Sequence, residues 1–252
     1  MSNTFDNPFI VLIVSLSAQW LAAYAGDFVG KKGPLQADMR EDFDVVRNAA
    51  LTLLALIIGF TFSMAVTRYD QRKNYEEAEA NAIGTEYVRA DLLNSDDAAR
   101  VRDLLRKYIQ RRVQFYRGGD EDQLRQIDAD ATKLQAELWS AVSHAARTQP
   151  AFVVTLAVSG MNDVLNSQGY TQAAWWNRIP TGAWWLMGLI AISCNFLIGY
   201  GDRRLSAIVL IILPVIVSIS FFLIADIDSP RGGVIHVLPQ NLIAVFQAMS
   251  AY

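Results

Sequence analysis

Small and hydroxyl-bearing residues recur in one stretch of the chain at a spacing that places them on a single helix face. Thr52, Ala55, Gly59 and Ser63 follow one another at steps of three and four residues, inside a run without Asp, Glu, Lys or Arg. In a bilayer such a face lets two helices approach closely, and the same weakly polar stripe can line a pore. The sequence leaves both interpretations open, a helix-packing face and a pore-lining face.

A second motif places two carboxylates at the end of the last apolar run. Asp226 and Asp228 are separated by one residue and precede a turn-forming Ser-Pro-Arg-Gly-Gly string that contains Arg231. A carboxylate at a membrane edge is costly and often marks a functional site. An ion pair between Asp228 and Arg231, or capping of the Pro-Gly turn, explains the motif equally well.

Two clusters of like charge lie in the polar middle of the chain. The acidic cluster consists of Glu76, Glu77, Glu79 and Glu86. One interpretation is a cation-binding ring in an oligomer, and the alternative is a solvated or salt-bridged helix surface. The basic cluster attracts anions or acidic lipid headgroups, or forms a solvated face balanced by the acidic residues that follow it. Its members are Arg100, Arg102, Arg106, Lys107, Arg111, Arg112 and Arg117.

Signatures of catalysis and metal binding are missing from the sequence. It contains no Gly-rich phosphate loop, no His-Glu-x-x-His and no nucleophile elbow, and His144, His236 and the single Cys194 lack ligand-spaced partners. We therefore expect no enzyme, no cofactor and no metal site. The net charge of -3 gives no reason to expect nucleic acid as a partner.

Four runs of the sequence contain no charged residue, and each would be about as long as a bilayer is thick if it formed a helix. These runs must position the small-residue face and the Asp226–Asp228 motif. They extend over Asn7 to Gly26, Asn48 to Thr67, Ile179 to Gly201 and Leu205 to Ala225. Because Met1 to Pro8 contains no Lys or Arg, we expect the first run to be a retained span rather than a cleaved signal peptide. The fold class is all-α, an integral membrane protein with four transmembrane helices in a 2+2 arrangement.

The predicted organisation has two transmembrane hairpins around a helical soluble domain. Residues 1–67 form the first hairpin, with spans at about 9–25 and 48–67, and residues 68–178 form the soluble domain. The second hairpin is 179–227, with spans at about 180–200 and 205–225 joined tightly at 201–204. Residues 228–252 form an interfacial tail. Four indoles mark a membrane interface, namely Trp175, Trp176, Trp184 and Trp185.

Helices in the soluble domain follow from periodicity and from start and stop signals. The second span continues without a break to about Leu93, and Ser95 is expected to cap the next helix, which ends at Gly118-Gly119. A further helix begins at Asp120, ends at Pro150 and has apolar residues at steps of three and four, the apolar seam. The seam consists of Leu124, Ile127, Ala131, Leu134, Leu138, Ala141 and Ala145.

Four strings of the sequence stand out, namely Gly59 to Ser63, Tyr69-Asp70-x-Arg72, Glu77 to Thr85 and Ile224 to Gly233. Together they resemble a bacterial family of four-span membrane proteins with a bestrophin-like domain. Bestrophins proper are pentameric anion channels with two spans, a helical cytosolic region and two more spans, so the resemblance implies this architecture and a homo-oligomer. The sequence lacks the bestrophin aromatic neck motif and a recognisable calcium clasp, so no pore or calcium residue is transferred.

The function we expect is an oligomeric ion channel, for anions by the resemblance, with the second span lining its axis. The alternative is a membrane-anchored scaffold or sensor that binds a partner through the apolar seam. The expected surroundings are the lipid bilayer of the bacterial inner membrane and small ions. Near-membrane Lys and Arg residues are almost evenly divided between the two sides and lean slightly against a cytoplasmic soluble domain. The resemblance favours a cytoplasmic soluble domain, and this is the orientation that we expect.

Overall fold

A computed structural model describes residues 7–33, 36–149, 152–201 and 207–251, and all regular elements within those residues are helical. In this described part of the chain, two short 3-10 turns, Ala37–Met39 and Ala90–Leu92, accompany eight α-helices. The predicted all-α class is therefore confirmed. The helices are α1 (Pro8–Lys32), α2 (Arg40–Arg89), α3 (Ser95–Arg117), α4 (Glu121–Thr148), α5 (Val154–Trp176), α6 (Thr181–Gly201), α7 (Ala207–Asp228) and α8 (Gln240–Ala251).

Local capping explains where several helices begin and end. Asp120 caps α4 as expected, because its side chain accepts a hydrogen bond from the amide of Gln123. The expected cap of α3 is wrong by one residue: Asn94 and not Ser95 accepts from the amide of Asp97. Gly118 ends α3 with a φ of 81°, a conformation that favours glycine.

One helix, α2, covers 50 residues without interruption. The prediction that the second charge-free run continues as a long helix is confirmed, and a 3-10 turn at Ala90–Leu92 follows it. At 1.5 Å per residue this helix is about 75 Å long, far more than a bilayer core requires. The predicted tight turn at 201–204 and the helix break at Pro150 fall largely outside the described residues.

The chain divides into two compact units. The transmembrane unit comprises Met1–Tyr69 and Arg178–His236, and the polar unit comprises Asp70–Asn177 and Val237–Tyr252. Within the residues that the structure describes, four helical regions are long and apolar enough to cross a membrane, as the sequence predicts. They are Pro8–Lys32, Arg40–Leu92, Val154–Gly201 and Leu210–Asp228.

Glycines bring α1 and α6 into backbone contact within the transmembrane unit. A Cβ atom added at Gly30 would lie 2.6 Å from the carbonyl oxygen of Tyr200, and one at Gly26 would lie 2.9 Å from the Tyr200 nitrogen. From the other side, a Cβ atom at Gly199 would lie 2.8 Å from the amide nitrogen of Asp27. Hydrophobic driving force is weak between helices in lipid, so this close packing holds the pair together.

The apolar core of the transmembrane unit also includes residues of α2 and α7. Leu54 and Ala65 of α2 are buried together with Phe221 and Ile224 of α7 and with Met187 of α6. Only two of the four expected interface indoles are exposed, Trp176 and Trp185. Trp184 is buried edge-on against Phe221, and Trp175 is buried against Phe115 and Tyr116 in the polar unit.

We predict that Gly199→Ala destabilises the transmembrane unit. The added Cβ atom would overlap the carbonyl oxygen of Ala23, and overpacking of this kind costs about 1–3 kcal/mol. Gly188→Ala in the same helix is the matched control, because its Cβ atom would meet nothing within 4 Å. Thermal melts in detergent should show a lower Tm for the first variant only, and equal Tm values would contradict the packing argument.

Candidate functional site

The face of α2 that carries Thr52, Ala55, Gly59 and Ser63 lies at the surface of the transmembrane unit. All four residues are exposed, and a Cβ atom added at Gly59 would meet nothing within 4 Å. The opposite side of the same helix is packed against its neighbours. Its most buried residues are Leu54 at 2%, Thr61 at 6% and Ala65 at 0% exposure.

A shallow apolar groove runs beside this face, between α2 and α7. Its volume is about 430 Å³, and Ala55 and Gly59 form part of one wall while Ile216 and Ser220 form part of the other. The Thr52 hydroxyl donates to the carbonyl oxygen of Asn48 at 2.9 Å. The small-residue face is thus left uncovered by the single chain.

Asp226 holds the turn that follows α7. Its carboxylate accepts hydrogen bonds from the amides of Val234 at 2.6 Å and Ile235 at 3.2 Å, and its residue is 2% exposed. Gly233 has a φ of 87°, and a Cβ atom there would collide with the Asp226 carboxylate. Turn capping, one of the two explanations given by the sequence, therefore accounts for Asp226.

Asp228 connects three segments of the transmembrane unit. One carboxylate oxygen accepts from the Arg178 Nε at 3.1 Å and from the Ile179 amide at 3.1 Å, directly before α6. The other oxygen lies 3.8 Å from the Arg68 Nη1 on α2. The Asp228 side chain is 3% exposed, and Arg231 is an exposed residue of the turn. The ion pair between these two residues stays a prediction. These bonds fix the end of α7 to the start of α6.

The acidic cluster of α2 is largely internal, which corrects the expectation of a solvated surface. Glu76, Glu79 and Glu86 are 1%, 0% and 0% exposed, while Glu77 is exposed. Glu79 forms a two-pronged ion pair with Arg112 of α3, whose Nη2 lies 3.2 Å from Oε2. The salt-bridged alternative thus holds for Glu79.

The Glu79–Arg112 pair lies in the core of the polar unit. Thr171 of α5 donates to the second Glu79 oxygen at 3.1 Å, so three helices contribute to one network. Burial alone lowers the pKa of the Arg112 guanidinium, but the adjacent Glu79 carboxylate outweighs it and raises that pKa above its ordinary value. The Arg112 guanidinium stays charged, and its bonds to Glu79 help to hold α2, α3 and α5 in one arrangement.

The C-terminal helix α8 is fastened to the polar unit at both ends. Glu76 accepts from the amide of Leu242 at 2.9 Å and from the Asn241 side chain at 2.7 Å, so it caps the first turn of α8. At the far end, Arg106 donates to the carbonyl oxygen of Met249 at 2.6 Å. The dipole of α8 thus meets a carboxylate at its N-terminus and a guanidinium at its C-terminus.

Much of the basic cluster on α3 is engaged within the polar unit. Besides Arg106 and Arg112, Lys107 pairs with Asp103 and Arg111 lies 3.4 Å from Asp130 of α4. The charge balance proposed from the sequence is confirmed for Arg111. Arg100, Lys107 and Arg117 are exposed, so part of the cluster remains at the surface.

The apolar seam of α4 packs inside the protomer. Ala131, Leu138, Ala141 and Ala145 are at most 1% exposed, and Leu124, Ile127 and Leu134 are half-buried. The helices that cover this side are α3 and α5. The seam therefore offers little surface to a separate partner, which weakens the scaffold alternative.

A buried polar triad in the transmembrane unit was not foreseen from the sequence. Asn195 of α6 donates to the Gln19 side chain of α1 at 3.0 Å, and Gln19 donates to Ser218 of α7 at 3.1 Å. All three are at most 1% exposed. The only available signal was the presence of polar residues in separate apolar runs, which does not reveal that they meet.

Comparison with known proteins places the chain in a family. Residues 20–242 match the model of the Bestrophin-like domain. A bacterial bestrophin homologue from Klebsiella pneumoniae, solved by Zn-SAD phasing, has a TM-score of 0.64 at 13% identity and covers 96% of this chain and 95% of that one. A point variant of that homologue gives 0.66 at 13% identity, with 95% and 96% covered. No curated protein sequence matches the chain.

At this identity the structural matches show a shared fold. The four-span arrangement with helices between the second and third spans is thus confirmed. No group of three or more His, Cys, Asp or Glu residues that could hold a metal ion is found among the described residues.

We predict that Arg112→Met strongly destabilises the polar unit. The substitution removes the ion-pair partner of the buried Glu79 carboxylate, and breaking a buried pair costs about 3–5 kcal/mol. Chemical denaturation of the full chain in detergent, followed by circular dichroism, measures the loss.

Two further variants test the origin of this loss. Adding Glu79→Gln to Arg112→Met should recover a large part of the stability, because the uncompensated charge disappears. Arg125→Met should change stability by less than about 1 kcal/mol, since Arg125 and its partner Asp122 are exposed. A double variant no more stable than Arg112→Met would contradict the interpretation.

Proposed function

Because the chain belongs to the bestrophin-like family, we propose that it is an oligomeric ion channel whose axis is lined by α2. Among the described residues, four helical regions are long and apolar enough to span a bilayer, which supports a multi-pass membrane protein. The pore, the oligomer and the permeant ion are parts of the proposal.

The observation that carries the proposal is the uncovered small-residue face of α2. Thr52, Ala55, Gly59 and Ser63 are exposed in the single chain although the opposite side of the helix is packed. Large apolar residues would suffice if lipid alone met this face. Small side chains and hydroxyl groups leave space along an axis formed by several copies and line it with weakly polar groups.

Anions are the permeant ions that we propose, by likeness to the bestrophins. The proposed location is the bacterial inner membrane, with the polar unit in the cytoplasm. The scaffold alternative has no comparable support, because the apolar seam that suggested it packs within the polar unit.

We predict that purified protein, verified as an oligomer and reconstituted in liposomes, releases chloride and that Gly59→Leu reduces the flux. The Cβ atom of a leucine at this position would meet nothing within 4 Å in its own chain, so we expect the variant to fold and to narrow the axis. An apolar constriction opposes hydrated ions, and we expect a loss of about tenfold or more.

The matched control is Gly188→Leu on α6, where an added Cβ atom also meets nothing within 4 Å. It should retain the wild-type flux. Liposomes that stay tight with a verified oligomer would overturn the channel proposal. Equal flux from the two variants would instead contradict the proposal that α2 lines the axis. A reversal potential that does not depend on chloride would contradict anion selectivity.

The orientation is tested by a single introduced thiol. We predict that Gly119→Cys is labelled by a membrane-impermeant maleimide only after the cells are opened. Gly119 is exposed at the junction of α3 and α4, and the one native thiol, Cys194, is buried, so the wild type is a suitable blank. Labelling in intact cells would place the polar unit in the periplasm.

A further inference from the structure

Glu86 is the one acidic residue of α2 whose burial is not matched by hydrogen bonds. It is 0% exposed, and both of its carboxyl oxygens lack a hydrogen-bond partner among the described residues. Its neighbours along the helix differ: Glu79 is bonded by Arg112 and Thr171, and Glu76 by the first turn of α8. An ionised carboxylate is costly in such surroundings, whereas a neutral carboxyl is much less so.

The carboxyl of Glu86 is lodged against the backbone of α5. A Cβ atom added at Gly160 would collide with the Glu86 Oε2 and with the Arg89 Nη1, so glycine provides the space that the carboxyl occupies. Two charged groups face Glu86, Arg89 from its own helix and Asp163 from α5. The contact between α2 and α5 is therefore built around an acidic group.

Burial raises the pKa of Glu86 from 4.5 to about 8, while Arg89 acts to lower it and Asp163 to raise it. The direction agrees with the geometry, because neither oxygen receives a bond that would favour the charged form. At neutral pH the group is mostly protonated, unlike an exposed glutamate.

We propose that Glu86 is a proton-binding site that keeps its proton through neutral pH, and that the α2–α5 contact at Gly160 weakens as the surroundings become alkaline. The ligand is the proton itself. The proposal concerns the polar unit alone and holds whether or not the protein conducts ions.

The sign of the effect follows from linkage. Because the folded pKa is raised, the folded protein holds one more proton than the opened one between pH 4.5 and about 8. The stabilisation is complete below pH 4.5, declines as the pH rises through this window and is lost above the folded pKa. The equilibrium for local opening should therefore rise by up to about tenfold per pH unit and then level off.

Hydrogen exchange of the full chain in detergent tests this dependence. After correction for the intrinsic exchange rate, peptides containing Glu86 and Gly160 should lose protection by up to about tenfold per pH unit between pH 6 and 8, with a plateau above. Glu86→Gln, a neutral side chain of similar shape, should give a flat profile. A parallel decline in both proteins would overturn the proposal.

Infrared difference spectra give a direct readout that does not depend on opening. The wild type should show a protonated-carboxyl band that disappears with a midpoint near pH 8, and Glu86→Gln should lack it. Absence of that band in the wild type at pH 7 would overturn the proposal.

Neighbouring substitutions keep the test decisive if Glu86→Gln fails to fold. Asp163→Asn should move the infrared midpoint to lower pH and Arg89→Met to higher pH, because each removes a charge with a known direction of effect. Asp122→Asn, a change at an exposed carboxylate elsewhere, should leave the midpoint unchanged. An infrared midpoint that stays unchanged in both Asp163→Asn and Arg89→Met would contradict a proton-binding site at Glu86.

Discussion

Backbone-to-backbone approach of α1 and α6 is the constraint on which the transmembrane unit depends. Gly26, Gly30 and Gly199 allow main-chain atoms of one helix to meet those of the other, which no larger residue permits. Water is absent from the bilayer core, so packing of this kind and the Gln19–Asn195–Ser218 bonds provide cohesion that apolar side chains alone do not. The small residues of α2 make no such close contact within the described part of the transmembrane unit, and their face is exposed.

Buried carboxylates give each unit its specific arrangement. In the transmembrane unit, Asp228 receives bonds from the segment that begins α6 and lies close to Arg68 of α2. In the polar unit, Glu79 joins α2 to α3 and α5. Each group is satisfied by partners from different helices, so a shifted helix would leave a charge without compensation. Charge burial thus specifies geometry more than it adds stability.

The helices, the four spans and several helix ends could be predicted because their signals are local. Charge-free runs, the glycines at 118 and 119, and the acidic residue at 120 act within a few positions of themselves. The burial of charged side chains could not be predicted from the sequence. Glu77 and Glu79 are the same residue type two positions apart, yet Glu77 is exposed and Glu79 is buried because of how the helices pack. The partner of Glu79 is 33 residues away in the chain, and that of Gln19 is 176 away. The α3 cap was misplaced because Asn94 and Ser95 are both good capping residues.

The dependence of Glu76 on α8 has a consequence for biosynthesis. During translation α2 is made early, whereas α8 follows both α6 and α7. The Glu76 carboxylate therefore cannot accept the hydrogen bond from the Leu242 amide until those two segments have been made. Until then the carboxylate must remain hydrated and the surface that later covers Leu242 must stay open to water. The hydrogen bonds between Glu76 and α8 can therefore form only after every other helix of the polar unit has been synthesised.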